Sequence, residues 1–341
     1  MKETSVETNS AKVTLNTASK YGGWLAAIDP QIFGLVIALV VLVTVIGMRE
    51  PGAFFTTVNM LSIGESITLV GLTALAQMVV MIMGGLDISI GTIVGMCSAA
   101  AGVAMLSAPN NALGAFAGIL VALAVGLLAG SINGLIVTRG KIDPIIVTLG
   151  TLSAYRGVAL LITGDGYAVN VRNNAFNAIG NTGIMGIPIS IIVLILSIFA
   201  FHFFLENTIL GRNIFAIGAN PITARLAGIH IDLTKLAMYT LAGLVAALAA
   251  VMYTARTQSG QPISGSDELA LQAITAAILG GVSMKGGKGS VVGVVLGILI
   301  IGTLNNGMIL LNIPTFYQRV ARGLLLIIAV LIQNWRLKAR K

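Results

Sequence analysis

A single carboxylate, Asp87, lies in the stretch MGGLDISIG at residues 83–91 and is the only charged side chain across residues 66–138. An acid in such apolar surroundings could carry a proton, bind a polar substrate, or cap a helix by accepting hydrogen bonds from backbone N–H groups. Glycines on both sides favour a turn between two closely packed helices. We therefore interpret the motif as a helix break in which the acid caps the following helix, with substrate binding as the alternative. Its signature residues are Gly85, Asp87, Ser89 and Gly91.

Four other polar residues within apolar segments are candidates for lining a substrate pathway: Asn133, Arg156, Asn305 and Asn306. Amide side chains donate and accept hydrogen bonds without net charge, although interhelical hydrogen bonding is their more common role. An arginine inside a membrane is costly unless it is paired or reaches the interface. Arg156 is therefore expected at the outer interface, in an ion pair, or in the pathway. Arg319 and Arg322 are interpreted as interfacial anchors.

The stretch SMKGGKGS at residues 283–290 superficially resembles a phosphate-binding loop. That loop requires Gly-x4-Gly-Lys-Ser/Thr, but Val282 and Gly289 occupy the first glycine and the Ser/Thr positions. We predict a glycine hairpin instead, so the chain should not hydrolyse ATP by a P-loop mechanism. Its lone cysteine, Cys97, and the isolated His202 predict neither a disulfide nor a metal site.

The composition is that of a membrane protein. Of the 341 residues, 56% are hydrophobic and only 9% are charged, against about 25% charged residues in soluble domains. The fold class predicted is therefore an all-α, polytopic membrane protein embedded in a lipid bilayer. The net charge of +8 does not indicate nucleic-acid binding, because the basic residues form no cluster with aromatic residues.

Ten apolar segments are predicted to cross the membrane, whose hydrocarbon core is about 30 Å thick. The eighth is short and contains Gln272 and Thr275. The segments lie near residues 31–47, 66–83, 88–107, 113–137, 145–163, 188–205, 235–254, 269–284, 290–311 and 316–333.

Lysine and arginine are enriched in cytoplasmic loops, and this bias predicts the orientation. If both termini are cytoplasmic, 14 of the 20 basic residues lie inside. The predicted organisation is a cytoplasmic N-terminal tail at residues 1–30, a transmembrane domain at 31–333, and a basic cytoplasmic tail at 334–341.

The longest predicted inner loop, residues 206–234, contains signals for a short helix. Asn220 can cap it, Pro221 suits its first position, and Gly228 suits the left-handed residue after its end. A helix at 221–227 is too short to be stable alone, so it either packs on the protein's own surface or docks a soluble partner. We favour docking because the loop is long and faces the inside.

Several motifs in a consistent order resemble one family. GGLDISIG is similar to the glycine–aspartate–serine signature of permease subunits of bacterial ABC importers for sugars. The resemblance covers roughly residues 60–333, and its nearest branch transports ribose, other monosaccharides or autoinducer-2. The other matching motifs are TLGTLSAYRG (148–157), GRNIFAIGANPITARLAGI (211–229), ILGGVSMKGGKGSVVGVVLG (278–297) and TLNNGMILLNIPTFYQ (303–318).

This resemblance implies a non-enzymatic permease subunit that moves a monosaccharide across the bacterial inner membrane by alternating access. It implies three protein partners: a cytoplasmic ABC ATPase that uses ATP, a periplasmic sugar-binding protein, and a second permease copy forming a homodimer. No cofactor is expected in this chain. The residues implied to couple to the ATPase are Gly211, Arg212, Gly218, Asn220, Pro221, Ala224, Arg225 and Gly228.

One departure from the family leaves the substrate open. A Glu-x-Asp pair is usual before the eighth span, whereas this chain has Ala270 and Gln272. The alternatives are an ABC permease for branched-chain amino acids and an ion-coupled secondary transporter. The second is disfavoured because the spans lack a paired Asp/Glu/His relay. The sugar, the pathway residues, and the choice between homodimer and heterodimer remain open.

Overall fold

The computed structural model describes residues 30–164, 166–264 and 267–339. In these ranges the chain forms helices joined by short connections and four two-residue strands. The helices are α1 (Pro30–Arg49), α2 (Pro51–Phe54), α3 (Thr57–Ile82), α4 (Ile90–Leu106), α5 (Ala112–Arg139), α6 (Pro144–Thr163), α7 (Asn174–Asn181), α8 (Ile189–Asn207), α9 (Ile209–Ala219), α10 (Pro221–Leu226), α11 (Ile231–Thr257), α12 (Asp267–Leu279), α13 (Val291–Leu310) and α14 (Thr315–Ala339).

Within the described residues, eight helices are long and apolar enough to cross a membrane: α1, α3, α5, α6, α8, α11, α13 and α14. The shorter apolar helices α4 and α12 occupy the positions of the third and eighth predicted spans. The prediction of an all-α, polytopic membrane protein is confirmed. The predicted length of the eighth span is wrong, because α12 has 13 residues. A turn follows at Gly280 and Gly281, where the latter has a φ of +88°.

Local capping explains where several helices begin. The Thr56 side chain accepts a hydrogen bond from the Asn59 N–H, so α3 starts at Thr57, well before the predicted residue 66. Asn111 accepts from two backbone N–H groups at the start of α5. Such caps satisfy N–H groups that have no partner within the helix.

The centre of the molecule is built from α3, α4 and α11, and α5 packs along α11. Glycine permits this packing. A Cβ atom at Gly130 would lie 2.3 Å from the Tyr239 carbonyl oxygen, and one at Gly243 would lie 2.1 Å from the Gly126 carbonyl oxygen. The two backbones therefore touch, as in closely packed transmembrane helices.

The helices α1, α8 and α14 bury few of their apolar side chains. This pattern suits helices that face lipid, because hydrocarbon covers apolar side chains without cost. The predicted N-terminal tail, apart from Pro30, lies outside the described residues. At the other end, α14 continues to Ala339, so most of residues 334–341 prolong the last helix.

The two long predicted loops contain regular structure. In residues 164–187, β1 (Val169–Asn170) pairs with β4 (Ser259–Gly260), and α7 follows β1. A hairpin formed by β2 (Gly183–Ile184) and β3 (Ile187–Pro188) then leads into α8. The predicted inner loop contains α9 and α10.

Candidate functional site

Asp87 lies between α3 and α4 and is fully buried. Its Oδ1 accepts hydrogen bonds from the Ser89 N–H at 2.9 Å and the Ser89 hydroxyl at 2.6 Å. Ser89, rather than Asp87, is the residue that precedes the first turn of α4. The predicted capping hydrogen bond is confirmed, because the carboxylate accepts from the Ser89 N–H, while regular α-helix begins at Ile90 rather than at the predicted residue 88. Burial raises the pKa of the Asp87 carboxyl, and the hydrogen bonds from Ser89 oppose that shift.

A chain of buried hydrogen bonds continues from Ser89 into α5 and α6. The Asn133 amide donates to the Ser89 hydroxyl oxygen at 2.8 Å. The Tyr155 hydroxyl contacts the Asn133 Oδ1 at 3.1 Å and the Ala129 carbonyl at 2.9 Å. Asn133 was predicted as a pathway candidate, but the structure places it inside the bundle as a link between helices. We call Asp87, Ser89, Asn133 and Tyr155 the signature network.

The backbone of the signature segment is also held from both sides. The Gln77 side-chain amide can be oriented so that it pairs with both backbone groups of Asp87. In that orientation it donates to the Asp87 carbonyl at 3.0 Å and accepts from the Asp87 N–H at 3.2 Å. The Thr148 hydroxyl donates to the Leu86 carbonyl at 3.3 Å. Within the described part of the chain, Asp87 Oδ2 and the Tyr239 hydroxyl are buried without a hydrogen-bond partner. This segment is a fixed element of the core.

Three backbone segments meet next to the signature. The Gly287 N–H donates to the Ile82 carbonyl at 2.8 Å. A Cβ atom at Gly218 would lie 1.8 Å from the Ile82 carbonyl oxygen and 2.4 Å from the Gly287 nitrogen. The end of α9, the end of α3 and the glycine hairpin at 283–290 are thus in direct backbone contact. We call this contact, made by Ile82, Gly218 and Gly287, the glycine junction.

The short helix α10 forms as predicted. Asn220 accepts from the N–H groups of Ile222 and Thr223, and Gly228 has a φ of +82°. Ala224 faces the protein at 3% exposure, whereas Ile222 and Leu226 are 75% and 85% exposed. Two aliphatic side chains one turn apart therefore project from the surface.

The other predicted coupling residues divide into packed and exposed groups. Gly211 sits against the end of α8, where a Cβ atom would lie 2.3 Å from the Phe204 carbonyl oxygen. Pro221 occupies the first turn of α10. Arg212 and Arg225 are exposed. Glycine therefore anchors α9 and α10, while the arginines and the aliphatic pair of α10 face outward.

A second polar cluster connects α12, α13 and α14. Glu268 contacts the Arg322 guanidinium directly and lies 3.9 Å from Arg319. The interpretation of the two arginines as interfacial anchors is therefore wrong for Arg322, which is largely buried in this ion pair, and incomplete for Arg319, which stays mostly exposed. Arg322 also reaches Asn305 Oδ1 at 3.4 Å, and Asn305 contacts Gln272 at 3.5 Å.

The four pathway candidates do not form one cluster. Asn306 exchanges two amide hydrogen bonds with Asn59, at 2.7 and 3.2 Å, and so ties α13 to α3. Asn305 belongs to the α12–α14 cluster, Asn133 belongs to the signature network, and Arg156 is half-buried on α6. The described residues contain no group of three or more His, Cys, Asp or Glu side chains that could hold a metal ion.

Sequence reasoning did not anticipate the roles of Gln77, Tyr155 and Glu268. Each acts on a partner that is 10 to 54 residues away in sequence. The one available signal was residue type, because uncommon polar groups in apolar segments seek partners. Which partner each finds depends on helix packing.

A family model described as "Branched-chain amino acid transport system / permease component" matches residues 59–330. The chain belongs to this permease family. It is 36% identical to the ribose import permease protein RbsC of Bacillus subtilis over 305 residues, covering 89% of this chain and 93% of that protein. It is 37% identical to the L-arabinose transport system permease protein AraH of Escherichia coli over 309 residues, covering 91% and 92%. No solved structure matches it significantly.

Proposed function

We propose that this permease is the transmembrane subunit of an ATP-driven importer that moves a monosaccharide across the bacterial inner membrane by alternating access. The observation that carries the proposal is the alignment with ribose and L-arabinose permeases over about nine-tenths of each chain. Neither the family match nor these relatives indicate an enzyme.

The surface around α10 suits a cytoplasmic ABC ATPase. Ile222 and Leu226 offer a small apolar contact, and Arg212 and Arg225 add positive charge nearby. Short amphipathic helices commonly dock into grooves through side chains at i and i+4. The capped ends and the buried Ala224 hold α10 in a defined position, which favours its use as a docking element.

The glycine junction supplies a route from this surface to the membrane helices. Movement of α9 would act directly on the Ile82 carbonyl at the end of α3 and on the hairpin before α13, because no side chain separates them. The signature network then connects the same region to α5 and α6. ATP-driven closure of the partner would thereby shift several helices together, as alternating access requires.

A periplasmic sugar-binding protein and a second permease copy complete the proposed assembly. With both termini cytoplasmic, α7 and the β2–β3 hairpin face the periplasm and offer an ordered surface to the binding protein. The second copy, most simply an identical chain, would enclose the pathway with the first. ATP is used by the partner ATPase, and this chain needs no cofactor of its own.

Reconstitution tests this proposal directly. The permease, its genomically neighbouring ATPase and the neighbouring binding protein are placed in proteoliposomes, and uptake of labelled D-ribose, L-arabinose and leucine is measured. Uptake of a sugar that needs both ATP and the binding protein is expected. Leucine uptake would instead favour a branched-chain amino-acid permease, the alternative that the family description suggests. Uptake by the permease alone, driven by an ion gradient, would refute the ABC mechanism.

A further inference from the structure

A cavity with a mainly apolar lining and five polar side chains lies between α12, α13 and α14, apart from the signature network and α10. Its volume is about 370 Å³, which falls within the range of about 300–1,000 Å³ typical of small-molecule sites. One wall is apolar and includes Leu271, Ile301 and Leu325. The polar lining residues are Glu268, Gln272, Thr275, Arg319 and Arg322.

Apart from the direct Glu268–Arg322 ion pair, the polar groups around this cavity are close together but loosely paired. Asn305 of α13 lies 3.5 Å from Gln272 and 3.4 Å from Arg322. Arg319 lies 3.9 Å from Glu268. Strong N–H···O hydrogen bonds are about 2.7–3.2 Å long, so these groups retain capacity to bind another molecule. Among the described residues, Arg322 Nε has no hydrogen-bond partner at all.

The membrane makes this arrangement costly unless water or a polar ligand reaches it. Ionisable side chains in transmembrane helices pair with one another and face the protein interior or a water-filled cavity. Arg322 is only 16% exposed, yet α14 presents large apolar residues such as Leu324 and Ile327 to the outside. The guanidinium therefore turns away from the apolar surface of its own helix and toward the cavity.

The chemistry of the lining favours an uncharged ligand that carries several hydroxyl groups. Glu268 already contacts Arg322, so neither charge is free to select an ion. Gln272 of the lining and Asn305, which reaches Gln272 and Arg322 of the lining, each offer both a donor and an acceptor, which matches a hydroxyl group that also does both. The aliphatic wall can contact the C–H face of a sugar ring.

We propose that this cavity binds the hydroxyl groups of the transported sugar on its way through the permease. This inference rests on the proposed function and adds a site to it. None of the lining residues given by the structure is aromatic, so the site lacks the stacking surface of a tight binder. Weak binding suits a transport pathway, because a substrate must leave each site that it enters.

Cysteine labelling tests whether the cavity is aqueous and occupied. The one native cysteine, Cys97, is buried, so Gln272→Cys and Asn305→Cys each introduce one reactive thiol. A charged, membrane-impermeant methanethiosulfonate is applied to the complete transporter. Labelling should be at least tenfold faster than in Leu196→Cys, a control on the 62% exposed apolar surface of α8. Adding the transported sugar with its binding protein should slow labelling.

Uptake measurements test whether the side chains contact the sugar. Gln272→Leu and Asn305→Leu should each lower ATP-driven uptake about three- to tenfold, the effect of losing one hydrogen bond. Thr303→Val removes a hydroxyl from α13 that, unlike the Asn305 amide, forms none of the described hydrogen bonds to the lining residues, and it should change uptake less than twofold. Each variant is compared at equal amounts of assembled permease and ATPase.

The outcomes separate this inference from the proposed function. Three results would each overturn the sugar site. The first is normal uptake by both leucine variants, the second is labelling no faster than in the α8 control, and the third is labelling that the sugar does not slow. If the unmodified transporter takes up no sugar, the proposed function itself fails.

Discussion

Replacement of Asp87 by alanine or asparagine tests whether its carboxyl group only stabilises the fold or also acts in the transport cycle. In Asp87→Ala, the Ser89 N–H and hydroxyl lose the oxygen that accepts from both, at 2.9 and 2.6 Å. Both groups are buried, and each buried donor without a partner costs about 1–3 kcal/mol. We therefore expect the free energy of unfolding to fall by about 2–5 kcal/mol.

Asp87→Asn should be milder. The asparagine Oδ1 can accept from the same two Ser89 groups, and its amide nitrogen takes the place of Oδ2, which has no partner among the described residues. The expected loss is about 1–2 kcal/mol and smaller than for Asp87→Ala, because the hydrogen bonds to Ser89 persist while the new amide N–H groups lack a partner.

The pH dependence provides an internal control. Burial raises the pKa of the Asp87 carboxyl above its ordinary value of 3.8, so the folded state keeps the proton to higher pH than the unfolded state. This contribution to wild-type stability is complete below pH 3.8 and is lost as the pH rises through the raised pKa. The stability of Asp87→Asn relative to wild type should therefore increase as the pH rises from about 4.

Thermal unfolding of the purified permease in detergent measures these differences, and ATP-driven sugar uptake is measured in parallel. The structural reasoning is refuted if Asp87→Asn unfolds as easily as Asp87→Ala. A well-folded Asp87→Asn permease that assembles with its ATPase but does not transport would instead show that the carboxylate acts in the transport cycle.

Three further variants test the remaining parts of the structure. Gly218→Ala places a Cβ atom 1.8 Å from the Ile82 carbonyl oxygen, so a sharply reduced yield of monodisperse permease is expected on size-exclusion chromatography, and a normal yield would contradict the glycine junction. The double change Ile222→Ser and Leu226→Ser should leave the free energy of unfolding within about 0.5 kcal/mol of the unmodified permease, because both residues are exposed. It should lower the amount of ATPase that co-purifies with the permease. Unchanged co-purification would argue against docking at α10. Tyr155→Phe removes the hydroxyl at the end of the signature network and should cost about 1–2 kcal/mol in thermal unfolding, so an unaltered midpoint would show that this bond contributes little.

Features with local causes were predictable from sequence. The helix α10 is specified by Asn220, Pro221 and Gly228, whose preferences depend on backbone geometry within a few residues. Apolar segment length likewise located the membrane helices. The structure starts α3 at Thr57, well before the predicted residue 66, and the helix includes Glu65, which pairs with Arg256 of α11 at 3.2 Å.

Features that depend on packing were not predictable. Arg322 and Glu268 are 54 residues apart, and only the placement of α14 beside α12 brings them together. The four pathway candidates were chosen by residue type, which does not reveal the direction of a side chain. Asn133 and Asn305 therefore entered one prediction although the structure assigns them to separate clusters.

Asp87 lies between two sets of contacts that connect different helices. Five residues before it, the Ile82 carbonyl contacts both the end of α9 at Gly218 and the glycine hairpin at Gly287. Two residues after it, Ser89 begins the hydrogen-bond chain to α5 and α6. A flexible or hydrated connection at this point would absorb movement of α9 before it reached the membrane helices. If α9 moves in the transport cycle as we propose, the acid, by fixing Ser89 in a dry core, would pass that movement on, which would account for a buried carboxylate without assigning it any chemical step.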